Sequence, residues 1–340
     1  MLAVPDRGGH FFQVRKRGAE PMPQKVLSEP AKGVLAMLGA CTVWGLSPIY
    51  YKLLADVPPL EVLSHRTLWS FVTFALVLLA QKRLGEFLVL LANRRNMLLV
   101  LFAGLMISLN WFVFILSIQI DRAVEASLGY YIFPLVAVVL GILVFGERPL
   151  RLQLLAVGLA VAAVLVLTMG LGAAPWISLI LAGSFGTYGV IKKFLSAGPV
   201  VSVTAEVTVL LPLALVWLFG VHFWGWSGFD GRVGGVFGHD ALETLLLVLA
   251  GGITAGPLVL FSYAARRLRL GTIGVIQYLN PTLQFLIATL LFAEPFTGWH
   301  ALAFSLIWLA LVLYSLSGWR QEKSLRRAAA SAGTPSSTVI

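Results

Sequence analysis

The amino-acid sequence predicts an all-α integral membrane protein whose ten transmembrane helices form two inverted five-helix repeats. Three observations carry that expectation. Only 12% of the 340 residues are charged and 59% are hydrophobic, whereas soluble domains carry roughly 25% charged residues; mean hydropathy is +0.89. The apolar residues fall in runs of about 18 to 23, enough for a helix to cross a ~30 Å hydrocarbon core. Finally, the block Arg122–Glu147 returns 147 positions later, with Arg122 on Arg269, Tyr131 on Tyr278, Pro134 on Pro281, Phe145 on Phe292 and Glu147 on Glu294. Apolar matches alone would mean little, but Arg, Tyr, Pro and Glu kept in register mark an internal repeat.

Taken in order, residues 1–31 hold Gly, Pro, Arg and Lys without periodicity and are expected to form a disordered tail. Ten spans follow, at 33–54, 62–81, 97–119, 124–145, 152–170, 175–195, 203–221, 242–263, 271–292 and 300–319. The first repeat is expected over 32–170 and the second over 175–319. Residues 320–340 turn charged and then rich in Ala and Ser, so a second disordered tail is expected. Connections are short except 222–241, which is Gly- and Trp-rich and expected at the membrane interface. Apart from Lys52, Arg66, Arg122 and Arg232, all 25 Lys and Arg residues lie in the tails or in loops on one side. The positive-inside rule therefore places both termini in the cytoplasm. Residues 1–30 lack an apolar h-region, so the first span serves as the insertion signal.

Gly104 and Gly251, and Phe114 and Phe261, extend the repeat at the same offset, while Trp44-Gly45 and Tyr188-Gly189 match at an offset of 144. Because five is odd, the two halves cross the membrane oppositely. Such inverted repeats are common in secondary transporters, whose sites lie near the bilayer midplane between the repeats.

Candidate pathway residues follow from chemistry that is costly in lipid. Pro134 and Pro281 sit mid-span and free the carbonyls of Tyr130 and Gln277; the bland alternative is a packing kink. Tyr131 and Tyr278 are their repeated neighbours. Gln277, Asn280 and Gln284, at i, i+3 and i+7, share a helical face and serve either as interhelical glue or as a polar strip along a pathway. Glu61 and His65 are one turn apart, with Arg66 turned about a hundred degrees away; embedded ionisable groups usually face the bundle or a water-filled cavity, although an interfacial charge cluster would account for Glu61. Glu125 follows Arg122 by three residues, which suggests a local ion pair. Glu206, near Thr204 and Thr208, has no cation close in sequence and is the leading candidate for a proton-coupling carboxylate, with His65 and Glu61 behind it. Asn110 and Trp44 complete the pathway candidates; each alone reads more simply as packing.

Other functions are disfavoured. The +10 net charge is spread over short loops and does not form the clustered face of a nucleic-acid binder. Cys41 is the only cysteine, so no intramolecular disulfide can form. Gly225-Trp226-Ser227-Gly228 matches an intramembrane serine-protease motif but lies outside the spans, and no phosphate-binding loop or metal-ligand spacing is present. No catalytic residue, cofactor or metal is expected. The expected partners are a small-molecule substrate and the lipid bilayer, with a homodimer as a further candidate.

From Lys32 to Arg320 the chain resembles the EamA family of the drug/metabolite transporter superfamily. The likeness rests on Trp44-Gly45-Leu46-Ser47-Pro48, on Glu61 with His65-Arg66 and Trp69-Ser70, and on Asn110-Trp111. It continues through Glu125-Ala126-Ser127-Leu128-Gly129-Tyr130, Pro134-Leu135, Gly146-Glu147-Arg148, Glu206, Arg267-Leu268-Arg269-Leu270, Gln277-Tyr278 and Pro281-Thr282. The resemblance implies two inverted five-helix halves around a central cavity in the bacterial inner membrane. It also implies export of a small metabolite or drug such as a chloramphenicol-like compound. The family pattern has Asn before the proline of the fourth span, where this chain has Phe133, so no polar site is implied there. The competing expectation is a non-transporting membrane scaffold or partner subunit.

Overall fold

The computed structural model describes residues 28–228 and 231–331, apart from the side chains of 270, 271 and 321–331. Among these residues the chain is helical, with two isolated bridges, Ser227 with Val233 and Phe237 with Asp240. Within a bilayer this is the economical solution, because a helix satisfies its own backbone donors and acceptors.

Helix α1 (Glu29–Lys52) opens four residues before the expected span. Ser28 accepts a hydrogen bond from the Ala31 amide at 3.4 Å, and Pro30 and Glu29 occupy the first turn, where a missing N–H and a negative charge are both favourable. The part of the expected tail at 1–27 lies outside the described residues. Helix α2 (Pro59–Ala80) starts on proline rather than at 62, which draws Glu61 into its first turn. A short helix absent from the hydropathy reading, α3 (Leu84–Ala92), follows. Next come α4 (Arg94–Gln119), capped by Asn93, α5 (Ala123–Phe145), α6 (Arg151–Leu171) and α7 (Trp176–Lys193). After α8 (Pro199–Phe223), the side chain of Asp240 accepts from the Glu243 amide at 2.8 Å and caps α9 (Ala241–Ala265).

The expected span 271–292 is not one regular helix. It comprises α10 (Leu270–Gln277), α11 (Leu279–Leu286) and a π-helical turn over Ile287–Leu291. The final helix α12 (Gly298–Ser331) runs well past 319 and replaces the disordered tail expected from residue 320 with helix as far as Ser331. The Ala-rich end of that segment has high helix propensity, and this outweighs its polarity. Among the described residues, nine helical stretches are long and apolar enough to cross a membrane. The expected span 175–195 is α7, which has 18 residues with Lys192 and Lys193 in its last turn and falls outside those nine.

Short connections make successive spans alternate in direction. The end of the bundle bearing Glu29 is called the near end, and the end bearing Lys52 the far end. Helix α1 packs on α9 and α11, and α7 packs on α4 and α5. Helix α2 lies against α8, α9 and α4, α8 against α4 and α9, and α6 against α12. Close approach depends on small residues, as expected where lipid provides no hydrophobic drive between helices. A Cβ on Gly251 would come within 2.3 Å of the Trp69 carbonyl oxygen, and one on Gly129 within 2.9 Å of that of Ser178.

The two copies of the repeated block end alike. The Glu147 amide donates to the Gly141 carbonyl at 3.2 Å, and the Glu294 amide donates to that of Ala288 at 3.0 Å. Each glutamate follows a left-handed residue, Gly146 (φ 63°) or Ala293 (φ 52°). From there the copies diverge. The Glu294 carboxylate accepts from the Ala123 and Val124 amides at 2.7 and 2.8 Å and so caps α5 from the other half. Burial raises its pKa, an effect opposed by those two donors. Glu147 stays exposed, with Lys193 Nζ 3.5 Å away.

Candidate functional site

The ionisable residues of α2 point where their spacing says they should. Glu61 is fully buried, and its carboxylate accepts from the Gly235 and Val236 amides, both at 2.9 Å. Because α2 begins earlier than hydropathy suggests, Glu61 faces the connection between α8 and α9 and pins it. His65, one turn on, stacks on Phe237 with ring centroids 4.6 Å apart, and neither of its ring nitrogens has a hydrogen-bond partner. Arg232 of the same connection donates to the Ala55 carbonyl and, at 3.2 Å, to Gln119 Oε1. Gln119 Nε2 in turn donates to the Leu54 and Val57 carbonyls. The connection expected at the membrane interface therefore closes over the far end. The sequence signal for this docking was Gly234-Gly235, where an unencumbered backbone can offer its amides to a carboxylate.

Arg66 turns the other way. It is 7% exposed. Its Nε donates to Thr254 Oγ1 at 3.0 Å, and its guanidinium lies over the Trp111 ring at 4.0 Å and the Tyr51 ring at 5.7 Å.

Glu206, 1% exposed, is not isolated as its sequence neighbourhood suggested. Lys192 Nζ, delivered by α7, sits 2.5 Å from its Oε1 and also donates to Ser202 Oγ. Tyr188 donates to Oε2 at 3.1 Å. A row of aromatic rings runs from the Arg66 pocket to this pair, with centroid steps Tyr51–Phe114 of 5.9 Å, Phe114–Tyr130 of 5.7 Å, Tyr130–Phe185 of 6.1 Å and Phe185–Tyr188 of 6.0 Å.

The remaining candidates divide between glue and interface. Asn110 donates to the Leu181 carbonyl (3.0 Å) and Ser184 Oγ (3.2 Å) and accepts from the Tyr130 hydroxyl (2.9 Å), which ties α4, α5 and α7 together. Glu125 pairs with Arg122 as its spacing implies, and its Oε2 is buried without a partner. Trp44 tilts against Phe261 at 6.2 Å.

The repeated blocks meet where the Tyr131 hydroxyl and Thr282 Oγ1 lie 2.7 Å apart. Helix α5 stays continuous through Pro134, whereas the second copy is interrupted at Tyr278, whose carbonyl accepts from Thr282 Oγ1 at 2.6 Å. Gln277 is exposed on α10, while Gln284 donates to Asn280 Oδ1 at 2.9 Å within α11. Pro281 explains the break, since it removes the donor that would have reached the Gln277 carbonyl. Among the described residues no three His, Cys, Asp or Glu side chains cluster to hold a metal. The site thus brings together a buried cation, a paired buried carboxylate and a row of aromatic rings between them.

Residues 31–169 match the model of the EamA-like transporter family. Over 93% of this chain and 97% of its own length, Protein RarD of Streptomyces exfoliatus is 42% identical. The chain belongs to the EamA family, in its RarD branch. The uncharacterized transporter YojE of Bacillus subtilis is 41% identical over 85% of this chain and 95% of its own. One crystal structure of a protein matches with a TM-score of 0.54 at 18% identity, covering 85% of this chain and 98% of that one, which bears on the fold alone. The chain is thus a multi-pass membrane protein of a transporter family, as the Glu125–Glu147 block implied.

Proposed function

We propose that this chain is a secondary active transporter of the bacterial inner membrane, exporting a small metabolite or drug by alternating access between two inverted five-helix halves, with both termini cytoplasmic. The observation that carries this reading is reciprocity in the packing. Under the repeat, α1 corresponds to α7, α2 to α8, α4 to α9, α5 to α10–α11 and α6 to α12, with α7 completing ten spans. Contacts then come in matched pairs: α1 on α9 and α11 answers α7 on α4 and α5, α2 on α9 answers α8 on α4, and α2 on α4 answers α8 on α9. The matched terminations at Glu147 and Glu294 extend the correspondence to single hydrogen bonds.

Two halves related in this way can exchange conformations and open a shared site first to one side and then to the other. The far end carries the Glu294 cap and the Glu61-pinned connection, while at the near end the Glu147 side chain is exposed beside Lys193. In this reading the conformation is closed at the far end and stands ready to open at the near, cytoplasmic end. Glu206 is the proton-coupling carboxylate. Its pairing with Lys192 supplies a bond that protonation would weaken, and His65, with both nitrogens unpartnered, is a second proton carrier.

The test is flux through purified protein in proteoliposomes, with chloramphenicol, amino acids and central metabolites as probes and an imposed pH gradient. Transport should rise with the gradient, and Glu206→Gln should lower gradient-driven flux by roughly tenfold while the protein stays in the membrane. Full gradient dependence in that variant would remove the coupling role, and no flux across the panel would favour the scaffold alternative.

A further inference from the structure

Arg66 is a buried cation inside a transmembrane helix, and among the described residues no carboxylate pairs with it. Elsewhere in the bundle cations are matched: Lys52 with Asp121, Arg122 with Glu125, and Lys192 with Glu206. A guanidinium has five N–H donors in a rigid fork. Arg66 uses one, on Nε, for Thr254. The four on Nη1 and Nη2 have no acceptor among the described residues, and these nitrogens are not sealed in by protein as the ring nitrogens of His65 are. Trp111 covers one face of the guanidinium at 4.0 Å, which leaves its outer edge for an in-plane acceptor. Charges at this depth are costly and characteristically mark substrate pathways, and paired N–H groups on a planar fork match the geometry of a carboxylate.

Resting on the transport reading, we propose that Arg66 recognises an anionic group of the transported molecule. That molecule is a small organic anion whose carboxylate docks on the two outer nitrogens and whose planar apolar body lies against the partly exposed Trp111 and Tyr130 rings. Trp111 lies 4.0 Å from the guanidinium, and the buried Tyr51 and Phe114 rings connect it to Tyr130 at centroid steps of 5.9 and 5.7 Å. The cation supplies selectivity for charge, and the rings accept a flat apolar body without demanding one particular shape.

The experiment measures binding of benzoate, its neutral counterpart benzamide, benzenesulfonate and phenyl phosphate to the full-length purified protein, by calorimetry and by thermal unfolding. Benzoate should raise the unfolding temperature of the wild type, as a ligand specific to the folded state must, and benzamide should not. Arg66→Lys keeps the charge but loses the fork, and should bind benzoate at least about tenfold more weakly. Arg66→Met should abolish binding while unfolding, without ligand, at or above the wild-type temperature, because an uncompensated buried charge has been removed. A lower unfolding temperature for Arg66→Met, together with no response of the wild type to any anion, would make Arg66 a structural strut and overturn the proposal. So would unchanged benzoate affinity in Arg66→Lys, equal binding of benzamide, or preference for phenyl phosphate over benzoate. Flux of neutral chloramphenicol without any anion response would sink this assignment and leave the transport reading standing. Benzoate binding without flux of any probe would sink the transport reading and leave the anion site.

Discussion

Arg66 and Glu206 occupy equivalent depths from opposite ends of the bundle. Each stands seven residues beyond the proline that opens its helix, Pro59 in α2 and Pro199 in α8, or about 10 Å of helix. Both are almost fully buried. They differ in how the protein treats the charge. Glu206 receives Lys192 and Tyr188, both from α7, whereas Arg66 receives one hydroxyl and two aromatic faces. Burial of a charge therefore does not by itself define a site. A buried charge matched by the fold stabilises one arrangement of helices, while one without a counter-charge among the described residues rests on weaker partners.

Three substitutions bear on this contrast. The largest effect is expected for Glu206→Gln, which leaves Lys192 without a counter-ion. Its side chain is 22% exposed, so the cost is put below that of a fully buried pair, at about 1–3 kcal/mol. It is read as a drop in the denaturation midpoint, and Lys192→Met in the same background should recover most of the loss. A neutral Glu206→Gln would show that the two clusters are alike after all. Next is Glu61→Gln, which keeps the side chain's shape but removes the charge that receives the Gly235 and Val236 amides. About 1–2 kcal/mol should be lost locally, measured as faster hydrogen exchange at those two amides with the α8–Lys192 region unchanged. Exchange rates that do not move would mean that Phe237 stacking on His65, and not Glu61, holds the far-end connection. The smallest effect, about 1 kcal/mol or less, is expected for Thr254→Val, which removes the one hydroxyl bonded to Arg66 among the described residues. A larger loss would mean that Thr254, rather than the aromatic faces, holds the guanidinium.

Much of this was legible beforehand, and the failures have specific causes. The matches Tyr131/Tyr278 and Pro134/Pro281 stand out because residues that bend or mark a membrane helix are conspicuous against an apolar background. Helix α2 was placed three residues short because Pro59 and Glu61 lower the hydropathy of a turn that is nevertheless buried. The carboxamides Gln277, Asn280 and Gln284 differ in exposure, from exposed Gln277 to buried Gln284, which their spacing alone does not show. Glu206 looked unpaired because Lys192 lies fourteen residues away on another helix, a separation that periodicity within one span cannot bridge.

What the sequence determined by itself was the class of molecule: a polytopic all-α membrane protein of the EamA family, and the ionisable groups worth examining. These follow from local physics, since lipid enforces apolar helices and penalises every embedded charge wherever the chain places it. Only the tertiary structure decided which of those charges were answered. Glu61 found two amides on a Gly-rich connection, Glu206 found Lys192, Glu294 found the opening amides of α5, and Arg66 found aromatic rings and the Thr254 hydroxyl. Such pairings depend on which helices become neighbours, and the chain settles that only when the small-residue faces of its two halves pack together.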